Sequence, residues 1–399
     1  MKDALIGFAE ADRPRLSAAH ADYLKGLQHL SQREFEAGWE LCEQRLQIFP
    51  PSYRSIFSPT PRSPADFYDR DVLVVGDPDY TPVINGMACR DLRVMGGYEV
   101  MFAQYYPKIL EQRPKSLTVL CDARLYSLLQ DSFQGINYSP CIMDAHSVVV
   151  QAFHVKPKPD LVVPLSSIGM AFIKNSADVP AASGPWLQAD ETATESWRIQ
   201  LKYLADGRVP VALSPVGVGL PGKSVPAAEF LSAFASLADR FFFINLQYVQ
   251  PGNDATNLTP EFRKIFGQKA YGKTKINIWE DFSTVAAVLT AIRDLGGAAV
   301  MIPSYTELIA GAVGVPVFKP LHGDTKPFHG FGRAWNEDLF LHSWVRTYLQ
   351  EEPGEWAPVL QAIAKDLVRF ADNTEHQPAR HDVMRFHNGQ GQSARPVAG

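Results

Sequence analysis

Along most of this chain the apolar positions come in short unbroken runs rather than in strict alternation. From Asp71 onward the runs VLVVGD (72–77), SLTVLCD (116–122) and DLVVPLSS (160–167) are separated by stretches of helical spacing, EVMFAQYYPKILEQ (99–112) and ARLYSLLQDSF (123–133). Runs with no polar face are strands covered on both sides, and their alternation with helices predicts a parallel sheet with crossover helices. A polar break, NSADVPAASGPWLQADETATES (175–196), interrupts the rhythm, which then restarts. VPVALSPVG (209–217), FFFINLQYV (241–249), AAVMIP (298–303) and VPVFKPL (315–321) read as strands; AAEFLSAFASLAD (227–239), STVAAVLTAIRDL (283–295) and TELIAGAVG (306–314) read as helices.

The first 50 residues follow a different pattern. AAHADYLKGLQHL (18–30) and QREFEAGWELCEQRL (32–46) are amphipathic at helical spacing, with Ser31 as the expected start signal of the second. Phe35, Trp39 and Leu46 share one apolar face, and Gly38 allows a neighbouring helix to approach. One such hairpin cannot bury its own face, so it must dock on the rest of the protein or on a partner.

The expected organisation is therefore a helical segment at 1–50, an ordered but irregular Pro-rich linker at 51–70, and α/β domains at 71–185 and 200–345. A C-terminal helix at 350–375 and a disordered tail at 385–399 complete it. Two open parallel sheets place their strand C-termini toward each other, and ligands bind at such ends, so the functional cleft is expected between the domains.

Composition narrows the classes. With 399 residues, 46% of them hydrophobic and 20% charged, there is ample core for two or three domains. A formal net charge of -5 leaves no basic surplus for a general nucleic-acid binder. Cys42, Cys89, Cys121 and Cys141 have no paired spacing that would suggest a zinc site or a disulfide framework. No metal is expected, since His322 and His329 stand alone. No stretch reads as a signal peptide or a membrane span, so a cytoplasmic protein is expected.

Four loops at expected strand ends carry the candidate chemistry. MGGYEVMF (95–102) brings Gly96, Gly97 and Tyr98 to a helix start, with Glu99 as a possible base; a glycine pair there is equally a structural turn. LSPVGVGLPGKS (213–224) offers Ser214 and Lys223 in a Gly-rich loop suited to phosphate oxygens, or simply a mobile connection. Gln247 and Tyr248 end the FFFINLQYV run, where an amide and an aromatic ring serve a nucleobase or close the strand. The fourth joins Trp279 and Glu280, before a helix capped by Asp281 or Ser283, to PSYTELIAG. There Ser304, Tyr305, Thr306 and Glu307 open a helix whose unpaired N–H groups and dipole attract phosphate. Ser304 or Thr306 with Glu307 is also ordinary helix capping. In the HGDTKPFHGFGRAW loop (322–335), Lys326 and Arg333 suit a phosphate or a solvated surface.

In order along the chain, these segments resemble bacterial proteins that join tetratricopeptide-type helices to a GT-B glycosyltransferase module, related to heptosyltransferases and O-linked sugar transferases. REFEAGWELCEQRL looks like their last repeat helix, and MGGYEVMFAQYYP resembles their Gly-Gly-Leu-Gly-Asp-Glu loop and helix. DARLYSLLQDSF and PLSSIGMAF resemble later acceptor-domain elements; NLQY, WEDFSTVAAVLTAI, AGAVGVPVF and GEWAPVLQAIAKDL resemble the donor domain. The resemblance covers most of residues 30–370.

It implies a GT-B fold of two Rossmann-like α/β domains facing a cleft, with an N-terminal α-helical hairpin. It implies a metal-independent transferase that moves a sugar from a nucleotide sugar to a hydroxyl on a protein or glycan. Glu99 would be the base, with Ser304 and Thr306 on the donor phosphate and Lys223 neutralising the departing nucleotide. Ser214, Gln247, Tyr248, Trp279, Tyr305 and Glu307 would line the donor side, and the hairpin would offer a protein docking surface. The chain departs from the family where Pro303, Ser304 and Leu308 replace Asp-Thr and a following His. It departs again where Tyr98 stands near the acceptor-loop Asp, and at Pro215 in place of an Arg. Those departures suit the alternative, a catalytically degenerate GT-B protein that binds or scaffolds.

Overall fold

The computed structural model describes residues 13–49, 51–77, 97–142, 144–178, 184–217, 224–249, 256–271, 277–323 and 344–375. Gly96, Lys223, Lys326, His329, Arg333 and the expected tail at 385–399 lie outside them.

Two helices come first, α1 (Arg13–Ser31) and α2 (Phe35–Cys42). Their close crossing depends on two glycines. A Cβ on Gly26 would stand 2.8 Å from the Gly38 carbonyl oxygen, and one on Gly38 2.6 Å from Leu30 Cδ2. Ser31 does not start the second helix; it ends the first, its hydroxyl donating back to the Gln28 carbonyl at 2.6 Å. Serine hydroxyls compete readily for nearby backbone in this way, and α2 begins without a side-chain cap. Phe35 and Trp39 are buried, and a Cβ on Gly169 would lie 2.3 Å from the Trp39 ring. The apolar face of the hairpin thus docks on the chain's own first α/β unit.

A buried polar joint fixes that docking. Arg45, just beyond α2, donates from Nε to Asp77 at 3.0 Å and from Nη2 to the Ser167 hydroxyl at 2.7 Å. Asp77 also accepts from the Ser166 N–H at 2.8 Å and its hydroxyl at 2.9 Å. The linker between hairpin and sheet holds one helical turn, α3 (Pro51–Arg54), and a 3-10 turn at Pro64–Phe67 capped by Ser63.

The first sheet takes β1 (Asp71–Val75), β2 (Ser116–Asp122), β3 (Asn137–Cys141) and β4 (Leu161–Pro164), all parallel in the order β3-β2-β1-β4. Its helices are α4 (Gly97–Phe102), α5 (Tyr106–Glu111), α6 (Tyr126–Ser132), α7 (Ala145–His154) and α8 (Ile168–Phe172). The expected single helix at 99–112 is two, joined by a 3-10 turn at Ala103–Tyr105. Pro107 explains the break: it has no N–H to continue the ladder and is at home in the first turn of α5. β3 escaped the sequence because NYSPC is polar and carries a proline, which an edge strand tolerates.

The second sheet has the order β10-β9-β8-β5-β6-β7, again parallel. In chain order its elements are α9 (Glu191–Ala205), β5 (Val209–Ser214), α10 (Ala227–Ala233), β6 (Phe241–Asn245), α11 (Thr259–Phe266) and β7 (Ala270–Tyr271). Then come α12 (Phe282–Asp294), β8 (Ala298–Met301), α13 (Tyr305–Ala312), β9 (Val317–Leu321), β10 (Val345–Leu349) and α14 (Ala357–Glu375). α9 begins inside the stretch read as a polar break. It buries only Thr194, Leu201 and Ala205 against its neighbours, too few to mark an apolar stripe.

One continuous apolar cluster runs from the hairpin through the first sheet to the near face of the second; a second cluster lies on the far face under α14. The two units are therefore packed together. Trp186, in the connecting segment, joins both: its indole N–H donates to the Val100 carbonyl at 2.8 Å, and its backbone N–H to that of Ala312 at 3.0 Å. Among the described residues, no helix is long and apolar enough to cross a membrane.

Candidate functional site

Parallel strands end toward the cleft, and β2 ends on an acid. The Asp122 carboxylate is gripped by Arg124, whose Nε lies 3.0 Å from Oδ1 and Nη2 2.6 Å from Oδ2. The backbone N–H of Arg124 also donates to Oδ1 at 2.9 Å, the tight turn that a side-chain carboxylate readily closes two residues on. Behind it stands Glu99, in the first turn of α4. Both its oxygens face the Asp122 N–H, at 3.1 and 3.0 Å, and the residue is 1% exposed.

Arg124 does more than pair with Asp122. Its guanidinium lies 5.4, 4.9 and 5.3 Å from the ring centres of Trp279, Phe282 and Tyr305, all from the second unit. Nη1 donates to the Trp279 carbonyl at 3.1 Å. The rings support one another: Phe282 stacks on Tyr305 at 5.0 Å, and Tyr248 lies 5.5 Å from Trp279. The Tyr305 hydroxyl reaches Asp122 Oδ2 at 3.4 Å. An arginine from the first domain thus fills an aromatic recess of the second, at the strand ends of both.

The helix opened by the second unit's Ser304 is α13. Ser304 is its N-cap, with extended backbone and an oxygen that accepts from the Glu307 N–H at 3.2 Å. Capping is what its lone pair does in this structure; its hydroxyl hydrogen is not committed by that bond. Glu307 is buried in an ion pair with Lys319 of β9 at 3.0 Å. Thr306 is buried, and Gly97 lies across the cleft from α13, where a Cβ would meet Leu308 Cδ1 at 3.1 Å. Asp281 caps α12 through the Thr284 N–H.

Gln247 lies just beyond β6 and spends its amide inside the protein. It accepts from the Ser214 hydroxyl at 3.2 Å and the Val216 N–H at 2.9 Å, and donates to the carbonyls of Val216 and Tyr248. Ser214 is fully buried in that contact. These two therefore hold the base of the 213–224 loop in place, and Ser224 pins its other end to Gly217. Tyr98 turns away from the cleft, buried between Phe102 and the hairpin's Tyr23.

The electrostatics follow from burial. Enclosure, and then the neighbouring Asp122 charge, hold the Glu99 carboxyl well above the usual carboxylate range. Burial, then Asp122 and Glu99, do the same to the Tyr305 phenol, which stays a hydrogen-bond donor. Among the described residues, no group of three or more His, Cys, Asp or Glu side chains is placed to hold a metal ion. A groove of about 670 Å³ between β3 and α7 includes Cys141, Gln151 and His154 in its lining, and approaches the cleft through Cys141, the register partner of Asp122.

The structure therefore brings together Glu99, Gly97, Trp279 and Tyr305, with Tyr248 behind Trp279. It sets Gln247 and Ser214 as struts and leaves Tyr98 elsewhere. Asp122 and Arg124 were not singled out from the sequence. The available signal was an acid closing the SLTVLCD run, since ligands gather at strand C-termini.

No family model matches this chain, and no curated protein matches it in sequence. Solved structures do resemble it. The ADP-heptose LPS heptosyltransferase II of E. coli is 13% identical, with 76% of this chain and 99% of that one aligned at a TM-score of 0.51. A family 9 glycosyl transferase of Veillonella parvula is 11% identical over 77% of this chain and 97% of that one, at a TM-score of 0.48. The two parallel sheets and the likeness to the E. coli structure give the fold as GT-B: two Rossmann-like α/β domains.

Proposed function

We propose that the protein is a sugar transferase that takes a sugar from a nucleotide donor and passes it to a hydroxyl on a protein or glycan. The observation that carries this reading is the meeting of two strand-end systems at one cleft. The Asp122 carboxylate, with Glu99 behind it bonded to the Asp122 backbone N–H, stands on one wall, and an aromatic recess beside the N-terminus of α13 on the other. The acceptor oxygen would bond to the anomeric carbon as the bond to the diphosphate breaks. The electron pair would leave with the nucleotide and the proton would pass to one of these carboxyls. A raised carboxyl pKa, as at Glu99, is the direction a general base needs. The departing charge would fall to the N–H groups of α13, to Ser304 and Thr306, and to Lys223, so no metal is required. A cytoplasmic setting belongs to the same proposal, as does a kinship of the hairpin with tetratricopeptide repeats.

A second reading, a GT-B scaffold without turnover, is favoured by one observation: Arg124 occupies the recess and pairs with Asp122.

Thermal unfolding against ADP-, UDP-, GDP- and CMP-linked sugars tests the donor site that the transferase reading requires. The ADP-linked sugar comes first, because the heptosyltransferase that shares the fold is named for ADP-heptose. A ligand at 100 times its Kd adds about 2.7 kcal/mol to the native state. The expected result is a raised midpoint with one nucleotide class, lost in Ser304→Asp. That variant keeps the helix cap, since aspartate caps as well as serine, but puts a negative charge where phosphate would lie. A panel without any shift overturns the transferase reading.

A further inference from the structure

The Arg124 arrangement has features that an ordinary surface ion pair lacks. Its partner Asp122 is two residues away in the same domain, yet its guanidinium is enclosed by three rings of the other domain. It also donates to the backbone carbonyl of one of those ring residues, Trp279. Each contact belongs to one of two sets. The bonds to Asp122 stay within the first domain; those to Trp279, Phe282 and Tyr305 cross the cleft. Arg124 is thus a bolt through the domain interface, and what it fills is a ring-lined recess at strand C-termini, the place where open α/β sheets bind flat, polar ligands. It is not sealed in: its side chain is 22% exposed, so solvent reaches it.

We infer that Arg124 is an autoinhibitory latch: it closes the cleft and occupies the donor-side recess, and a nucleotide enters only by displacing it. The inference rests on the proposed transferase reading for the identity of the ligand. Withdrawal of Arg124 has two results at once. It opens the rings to a base or ribose, which stack on aromatic faces as a guanidinium does. It also breaks the ion pair with Asp122, so that the carboxylate at the end of β2 loses the arginine that occupies it. Donor arrival and the release of Asp122 are coupled through one side chain.

Two measurements on the full chain test this, and they fail separately. Hydrogen–deuterium exchange of unliganded wild type and Arg124→Ala is read at the backbone of 277–285, 304–308 and 122–126. The latch predicts faster exchange in the variant on both sides of the cleft, with the α14 and β1 segments unchanged. Equal rates at the cleft overturn it, whatever any nucleotide does. Titration of ADP, UDP, GDP and CMP into both proteins is the second. Displacement predicts that the responding nucleotide binds Arg124→Ala more tightly by roughly 5- to 150-fold, the usual span of a coupling between two equilibria. Arg124→Lys, which keeps the charge but not the flat stacking surface, should fall between. Equal or weaker binding to Arg124→Ala overturns the latch and makes Arg124 a ligand for the nucleotide instead. Faster exchange with no nucleotide binding to either protein sustains the closing contact and sinks the transferase reading.

Discussion

At the ends of β1 and β2, neighbouring strands of one sheet, the chain places the same chemistry twice and uses it differently. Asp77 is held by Arg45, which arrives from 32 residues earlier and sits at 2% side-chain exposure against 0% for its partner. Asp122 is held by Arg124 from two residues away, and that arginine is partly open to solvent. The first pair has its remaining capacity filled by Ser166, Ser167 and Glu43, all within the protein. The second has a ring recess and a long contact to Tyr305. A fully enclosed, fully bonded pair is a joint; a half-open pair at a domain boundary is a part that moves.

The largest expected effect sharpens that contrast on the structural side. Arg45→Met leaves the fully buried Asp77 with no cation, and loss of one partner of such a pair costs about 3–5 kcal/mol. Arg124→Met also takes the cation from a buried carboxylate, Asp122, but at a site where the arginine itself is partly open and water can enter in its place, so the loss is expected to be smaller. Urea unfolding of the two variants measures both. Similar losses would break the distinction between joint and latch.

A smaller effect concerns Glu99, which stands behind the open pair. Its folded-state pKa is raised, so the protonated form favours the fold. Its stabilising contribution is complete below the unfolded carboxyl value of about 4.3 and is lost as pH rises through the folded value, by up to about 1.4 kcal/mol per unit. Glu99→Gln cannot ionise and should lose that decline. Urea midpoints taken from pH 4 to 8 should converge or cross in its favour as pH rises, and parallel profiles would contradict the assignment. The same variant should lose turnover in any transfer assay; full activity would remove Glu99 from the base role.

The two pairs also mark what the sequence discloses and what it withholds. SLTVLCD and FFFIN are legible as strands because burial on both faces leaves no polar position to confuse the pattern. NYSPC at a sheet edge and ETATESWRIQLKYLA on the outside are not, since neither needs a full apolar face. In the site, the loops are legible through glycines and caps. Ser304 shows the limit: its capping and phosphate readings use the same residues, and the fold displays the cap. Arg124 shows another: its meaning lies in a bond to Trp279, 155 positions away, for which no local pattern exists. Gln247 suits a nucleobase or the closing of its strand, and the sequence does not choose between them; the bonds to Val216 and Ser214 appear only in the folded loop.

The central claim is that the cleft between the two sheets receives a nucleotide. Calorimetric titration of the purified full chain with ADP-, UDP-, GDP- and CMP-linked sugars, in parallel with Arg124→Ala and Ser304→Asp, addresses it most directly. The account predicts one site per chain for one nucleotide class, tighter without Arg124 and lost with the added charge at residue 304. No heat with any donor in either wild type or Arg124→Ala would contradict it.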